Sequence, residues 1–197
     1  IENDPALQSW LIPIVLKEEA YYGIRRLCAL WETVAQELEE KDKAFAGLTH
    51  QMQEHDDPYV AHEPACFEML TQALSEQNKQ VMLFIDNLGE MLLNFSDQEN
   101  RRFYEVLHSS PYVRLIGATP VVLNALLPEN HVFTDTFATV RLEGLSPEAT
   151  RRVLLELARV YKQERAIKSI LKHHPGRIEA LRVLTGGVIR TVVLLFE

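Results

Sequence analysis

A run of apolar residues that ends on a carboxylate, Val81-Met82-Leu83-Phe84-Ile85-Asp86, constrains this chain more than any other stretch. Its length is that of one β-strand. Apolar residues at successive positions, without polar alternation, predict burial on both faces, as in a parallel sheet flanked by helices. An ionised aspartate is costly to bury unless it is paired or metal-bound. The carboxyl ends of parallel strands are also where open α/β sheets place ligands. Asp86 is therefore the leading candidate for a ligand-binding carboxylate. The alternative is that Asp86 only caps the helix predicted just behind it from the spacing of Leu88, Met91, Leu92 and Phe95.

The rest of the chain alternates strand and helix around this run. Leu11–Leu16 is apolar but carries Pro13, which cannot donate to a ladder, so an edge strand or extended segment is expected. A long helix is expected to open at Lys17-Glu18-Glu19. From Ile24 its apolar residues recur at helical spacing through Leu27, Cys28, Trp31, Val34, Ala35 and Leu38. Asp42 to Glu63 is polar and irregular, with His50, His55, Asp56, Asp57, His62 and Glu63. Their spacing matches no helix-borne ligand pair, and acidic segments with histidines are most often solvated, although a metal reading stays open. Phe67, Leu70, Ala73 and Leu74 predict a short amphipathic helix. Ser96 and Glu99 form a capping-box signature for a helix carrying Phe103, Val106 and Leu107.

Tyr112–Ala118 reads as a second strand, followed by Thr119-Pro120, and Val121–Leu127 as a short helix. Phe137–Leu142 alternates and predicts a third strand. Ser146 and Pro147 then stand at the N-cap and first position of a helix reaching about Gln163. Only helices follow: Ala166–Lys172, Arg177–Leu184, and Val188–Phe196 after the Gly186-Gly187 break. The expected organisation is an α/β domain followed by an all-α subdomain.

Composition narrows the partners. The chain has 197 residues, 47% of them hydrophobic, and a formal net charge of −8, so no global nucleic-acid footprint is expected. Cys28 and Cys66 both sit in helical patterns. They read as reduced core residues of a reducing, cytoplasmic compartment, with no disulfide framework and no zinc spacing. No apolar run approaches the roughly 18–20 residues of a membrane span, and no signal peptide is apparent. The chain starts at Ile1 and stops at Glu197 within an apolar helical pattern, so both ends are expected to be cut.

Taken in order, these signals resemble a P-loop ATPase domain of the AAA+/STAND type over roughly residues 10–197. Val81–Asp86 resembles a Walker B strand. Leu115-Ile116-Gly117-Ala118-Thr119 resembles a sensor-1 strand end. Leu142-Glu143-Gly144-Leu145-Ser146-Pro147-Glu148 resembles the junction to a helical lid, and Thr185-Gly186-Gly187-Val188-Ile189-Arg190 resembles a sensor-2 segment. The resemblance implies a three-layer P-loop NTPase-like parallel sheet, incomplete because its first strand is missing, followed by an all-α lid. Residues 1–145 would form the core and 146–197 the lid. It implies ATP and Mg²⁺ as ligands and a nucleotide-dependent conformational switch as the activity. Asp86 would hold Mg²⁺. Thr119 would position water or sense the γ-phosphate, and Arg190 would couple the lid to the nucleotide. Thr119 as a plain turn residue and Arg190 as a surface arginine are the plainer alternatives.

Three departures qualify the resemblance. No G-x-x-x-x-G-K-[ST] loop occurs, although a phosphate cradle needs backbone N–H groups and a lysine. In the family that loop follows a central strand, which would precede Ile1. A sheet lacking an inner strand would expose unpaired edges. Second, Asn87 stands where many members carry the glutamate that activates water. Glu90 is the substitute candidate, and slow hydrolysis is expected. Third, no arginine or lysine lies between Thr119 and Val140 to act in trans, which leaves Arg101 and Arg102 on the preceding helix. Two alternative functions follow: a non-catalytic module of the same fold that docks a protein partner on its helices, and a DNA-associated ATPase. The second would use Arg151, Arg152, Arg159, Lys162 and Arg165 with Lys168, Lys172, His173, His174 and Arg177, a set that most often is simply a solvated helix face.

Overall fold

The computed structural model of the chain describes residues 4–16, 23–55, 61–120 and 137–196. They form two compact units, Ile1–Ala138 and Thr139–Glu197. The first is mixed α/β. Its strands β1 (Leu11–Leu16), β2 (Gln80–Ile85) and β3 (Val113–Gly117) form a parallel sheet in the order β1-β2-β3, with the Val81–Ile85 run in the centre. The register places Ile14 opposite Leu83 and Leu83 opposite Leu115. Pro13 lies on β1, which among the described residues pairs with β2 alone, so its missing N–H leaves no gap inside the ladder.

Burial on the central strand alternates, contrary to the expectation of two buried faces. Val81, Leu83 and Ile85 are buried, whereas Met82 and Phe84 are half-buried. Their neighbours on the same face, Val15 and Ile116, are 56% and 54% exposed. An unbroken apolar run shows that both faces tolerate apolar contact; whether a second layer covers them depends on other segments. The covered face packs under three helices: α1 (Leu27–Lys41), with the short α2 (Leu48–Gln53) beside it, α3 (His62–Glu76) and, after α4 (Leu88–Leu93), α5 (Asp97–Ser109). Segment 42–55, expected to be irregular, thus contains a helix, held by the burial of Leu48 and Met52.

Trp31 sits at the middle of this layer, fully buried, with Phe67 at 5.0 Å and Phe103 at 6.0 Å between ring centres. A buried indole needs an acceptor; Trp31 Nε1 donates to Glu63 Oε1 at 2.8 Å. Arg102 Nε donates to the other oxygen, Oε2, at 3.2 Å, and its guanidinium stands 5.8 Å from the Phe67 ring centre. One carboxylate on α3 thus joins α1 to α5. Arg102, a candidate for action in trans, is engaged inside its own unit.

Helix starts follow local chemistry. The α1 helix begins at Leu27: residues 23–26 are not helical, and the expected opening at Lys17–Glu19 lies outside the described residues. The Leu27 N–H donates to Glu99 Oε1 at 3.0 Å. Glu99 Oε2 also accepts from the Ser96 N–H and hydroxyl, completing the capping box of α5. Phe137–Leu142 is not a strand. Val140 and Leu142 are 80% and 90% exposed, and 137–142 joins no ladder among the described residues. The expected helix Val121–Leu127 lies outside the described residues.

The second unit is helical: α6 (Pro147–Val160), α7 (Glu164–His173), α8 (Pro175–Leu184) and α9 (Ile189–Phe196) around Leu154, Ala158, Ile167, Ile178 and Val192. Ser146 caps α6 by accepting the Ala149 N–H at 3.1 Å, as its sequence predicts. Among the described residues no helix is long and apolar enough to cross a membrane.

Burial opposes ionisation of Glu99, but hydrogen bonds from the Leu27 and Ser96 N–H groups and the Ser96 hydroxyl, with the Arg26 charge, outweigh it and hold the carboxyl below its ordinary value. A lowered native pKa contributes stability above the unfolded pKa and loses it as pH falls through the native one. Glu99→Gln is therefore expected to destabilise the protein by about 1–2 kcal/mol at neutral pH. Urea unfolding across the acid range should show the gap to wild type closing below about pH 4.

Candidate functional site

Parallel pairing brings the ends of β2 and β3 to the same edge of the sheet. Pairing continues past the ladder: the Ala118 N–H donates to the Ile85 carbonyl and the Leu88 N–H to the Ala118 carbonyl, both at 2.9 Å. Asp86 and Asn87 lie between these two bonds, and Thr119 follows directly. A close approach is needed here, because a side-chain carbon on Gly117 would collide with the Leu88 side chain. Gly117 therefore lets the first turn of α4 settle against the end of β3.

Asp86 is exposed, so its place cannot rest on the cost of burying charge. Nor is it the cap of the next helix. The N-cap position of α4 belongs to Asn87, whose backbone is left-handed at φ 51°, ψ 39° and whose side chain makes no capping bond. Asp86 Oδ1 accepts the Asn87 N–H at 3.0 Å. What the fold supplies is a tight strand-to-helix turn with a solvent-facing carboxylate at the end of the central strand. Glu90, exposed in the first turn of α4, and half-buried Thr119 complete the strand-end set. The sheet thus brings Asp86, Asn87, Glu90 and Thr119 to one edge.

Arg190 belongs to the other unit, exposed in the first turn of α9. The turn before it has a defined build. Gly186 and Gly187 take φ of 60° and 69°, and the Gly187 N–H donates to the Arg182 carbonyl at 2.8 Å. The Gly187 carbonyl accepts the Leu145 N–H at 2.8 Å. A side-chain carbon on Gly144 would collide with the Gly186 carbonyl, so two glycine segments far apart in sequence meet backbone to backbone. The helical unit also carries a shallow surface feature. It is an open hollow along Arg159, Lys162, Gln163, Glu164, Arg165 and Ala166.

A second constellation went unread in the sequence. The α3 helix begins at His62, five residues before Phe67, the first apolar residue of its expected pattern. His62 and Cys66 consequently share a face, one turn apart, opposite Cys28 and Glu32 on α1. The signal available was a pair of four-residue spacings, masked by the irregular look of the segment before Glu63. Cys28 and Cys66 are buried thiols, as expected. Burial foremost, then the Glu32, Cys28 and Glu63 charges, pushes the Cys66 thiol up to about 12.

No protein-family model, curated protein or solved structure matches the chain at a significant level.

Asn87 offers a direct check on the strand-end turn. Asparagine and glycine tolerate the left-handed conformation, and β-branched residues do not. Asn87→Gly is expected to leave unfolding free energy within about 0.5 kcal/mol of wild type, while Asn87→Val lowers it by about 1–2 kcal/mol. Equal effects in thermal or urea denaturation would contradict the assigned turn.

Proposed function

We propose that the α/β unit is the greater part of an ATP-binding core of the AAA+/STAND type, acting as a nucleotide-dependent switch with the helical unit as its lid. The observation that carries this reading is the meeting of Asp86 and Thr119 at the carboxyl ends of adjacent parallel strands. Nucleotide phosphates and their metal bind at such strand ends in P-loop proteins. The donor set suits Mg²⁺, a hard cation that keeps several waters and takes one or two carboxylates plus phosphate oxygens. Asp86 would hold it and Thr119 would orient the attacking water. Bound ATP supplies the phosphoanhydride that the switch breaks.

The side of β3 that carries no strand among the described residues supports the same reading. A strand bearing the glycine–lysine loop would take its place there, pairing with β3. Such a strand would come from outside residues 1–197, since the loop is absent from them. Asn87 can orient water but cannot accept its proton, so Glu90 would serve as the base and turnover would be slow. Arg190 would couple phosphate state to the lid.

A second reading, a non-catalytic docking module, is favoured by the apolar surface of the helical unit. Val183, Leu184, Leu194 and Leu195 are 63%, 83%, 62% and 60% exposed. The DNA reading draws less support. Arg159 and Lys168, two of its basic residues, form ion pairs with Glu156 and Glu164 on their own helices.

Isothermal titration of residues 1–197 with ATP and Mg²⁺ should give weak or no binding. A longer chain that includes a glycine–lysine loop should bind, and Asp86→Ala should remove the magnesium dependence. A coding sequence with no such loop upstream of Ile1 would favour the docking module instead. In the longer chain, hydrolysis should be slow and should fall by at least about 100-fold in Glu90→Gln. Fast turnover that survives Glu90→Gln but not Asn87→Ala would overturn the assignment of Glu90.

A further inference from the structure

Away from the strand ends, α1 and α3 face each other with three metal-ligating side chains, Cys28, Glu32 and His62, in mutual reach and a fourth, Cys66, beside His62. Cys28 and Glu32 are one turn apart on α1, and His62 and Cys66 are one turn apart on α3. Cys28 Sγ, a Glu32 carboxylate oxygen and a His62 ring nitrogen all lie within 4.8 Å of one another. His62 Nε2 is 3.0 Å from Glu32 Oε1 and 3.6 Å from Cys66 Sγ. We infer that Cys28, Glu32, His62 and Cys66 form a structural binding site for a zinc-class divalent cation, clamping α1 to α3.

The chemistry and the distances both point to that cation. Two thiolates, an imidazole and a carboxylate make a mixed sulfur–nitrogen–oxygen set that suits zinc and does not suit magnesium or calcium, which prefer oxygen throughout. With Zn–N near 2.0–2.1 Å and Zn–S near 2.3 Å, a tetrahedral centre separates its nitrogen and sulfur ligands by about 3.6 Å. His62 Nε2 and Cys66 Sγ already stand at that separation. A bound cation would take the place of the proton between His62 Nε2 and Glu32, the ring keeping its N–H at Nδ1, and the displaced proton and those of the two thiols would pass to solvent. With Cys66 drawn in beside His62 as the fourth protein ligand, the coordination sphere would be closed, as in structural sites.

The surroundings fit a site that a cation can reach and that the fold holds in shape. Both cysteines are buried, whereas the His62 and Glu32 side chains are 40% and 25% exposed, so the approach is from the His62 side. His55 stacks on His62 with ring centres 6.5 Å apart. Its Nε2 is buried with no hydrogen-bond partner among the described residues. Glu63, next to His62, is fixed by Trp31 and Arg102, which sets the rotation of the first turn of α3.

The test uses the full 197-residue chain, purified under reducing conditions, stripped of metal and titrated with Co²⁺. One equivalent should bind and give the absorption of tetrahedral cobalt together with thiolate-to-cobalt charge transfer, and Zn²⁺ should displace it. Cys28→Ser and Cys66→Ser should each remove about half of the charge-transfer intensity, in line with two thiolate ligands. His62→Asn, at a half-exposed position, should weaken zinc binding by at least about 10-fold with the helical circular dichroism unchanged. Zinc should raise the melting temperature of wild type and not of His62→Asn. No cobalt absorption in the wild-type chain, or a spectrum without charge transfer, would overturn the site. If a cysteine variant fails to fold, the thiolate count from the wild-type spectrum and the His62→Asn titration decide the matter.

Discussion

Burial of one face of a three-stranded parallel sheet beneath α1, α3 and α5 is the interaction on which the first unit depends. Ile14, Leu83 and Val113 supply the sheet side, and Trp31, Leu70 and Phe103 the helical side. Hydrophobic burial is not directional, so it does not by itself fix how the three helices lie. The polar contacts do that. Glu63 holds the Trp31 indole and the Arg102 guanidinium at once, and Glu99 caps the starts of α1 and α5 together. Each carboxylate joins elements distant in sequence, and each satisfies donors that would be costly to leave unpaired.

The same arrangement separates the two sets of chemistry-bearing residues. Parallel strands align their carboxyl ends, which delivers Asp86 and Thr119 to one edge of the sheet. Helix-on-helix packing brings α1 and α3 together and delivers Cys28, Glu32, His62 and Cys66 to a layer beside it. The first set is hard oxygen chemistry open to solvent; the second is softer, with its sulfur atoms buried. A closed sulfur-containing site would hold the helical layer in shape without taking part in reactions at the strand ends.

Glycine and asparagine mark where backbone meets backbone. Gly117 admits Leu88 at the end of β3, Asn87 turns the chain through a left-handed step into α4, and Gly144 meets the Gly186–Gly187 turn. In each case a side chain at that position, or a residue intolerant of positive φ, would force the segments apart. These are local demands, yet only the folded chain shows which partner imposes them.

Much of the organisation was legible in sequence. Val81–Ile85 and Tyr112–Ala118 show as strands through their apolar runs. Pro13 marks β1 as an edge, Ser96 with Glu99 marks the start of α5, and Ser146-Pro147 marks the start of α6. These signals are local, set by backbone sterics and hydrogen-bond inventory within a few residues. What needed a partner did not show. Phe137–Leu142 has the alternation of a strand but joins no ladder among the described residues. Met82 and Phe84 are as apolar as Leu83 but lie on the less covered face. His62 and Cys66 lie on a helix that starts before its apolar pattern does, and on α1 the pattern sets Cys28 inward and Glu32 on the polar face, so neither pair stands out until the two helices pack. Local sequence was enough to mark β2, β3 and the starts of α5 and α6, and to put a carboxylate at the end of the Val81–Ile85 strand. Tertiary structure decided which faces are covered and which side chains converge, because burial and coordination depend on segments far apart in the chain.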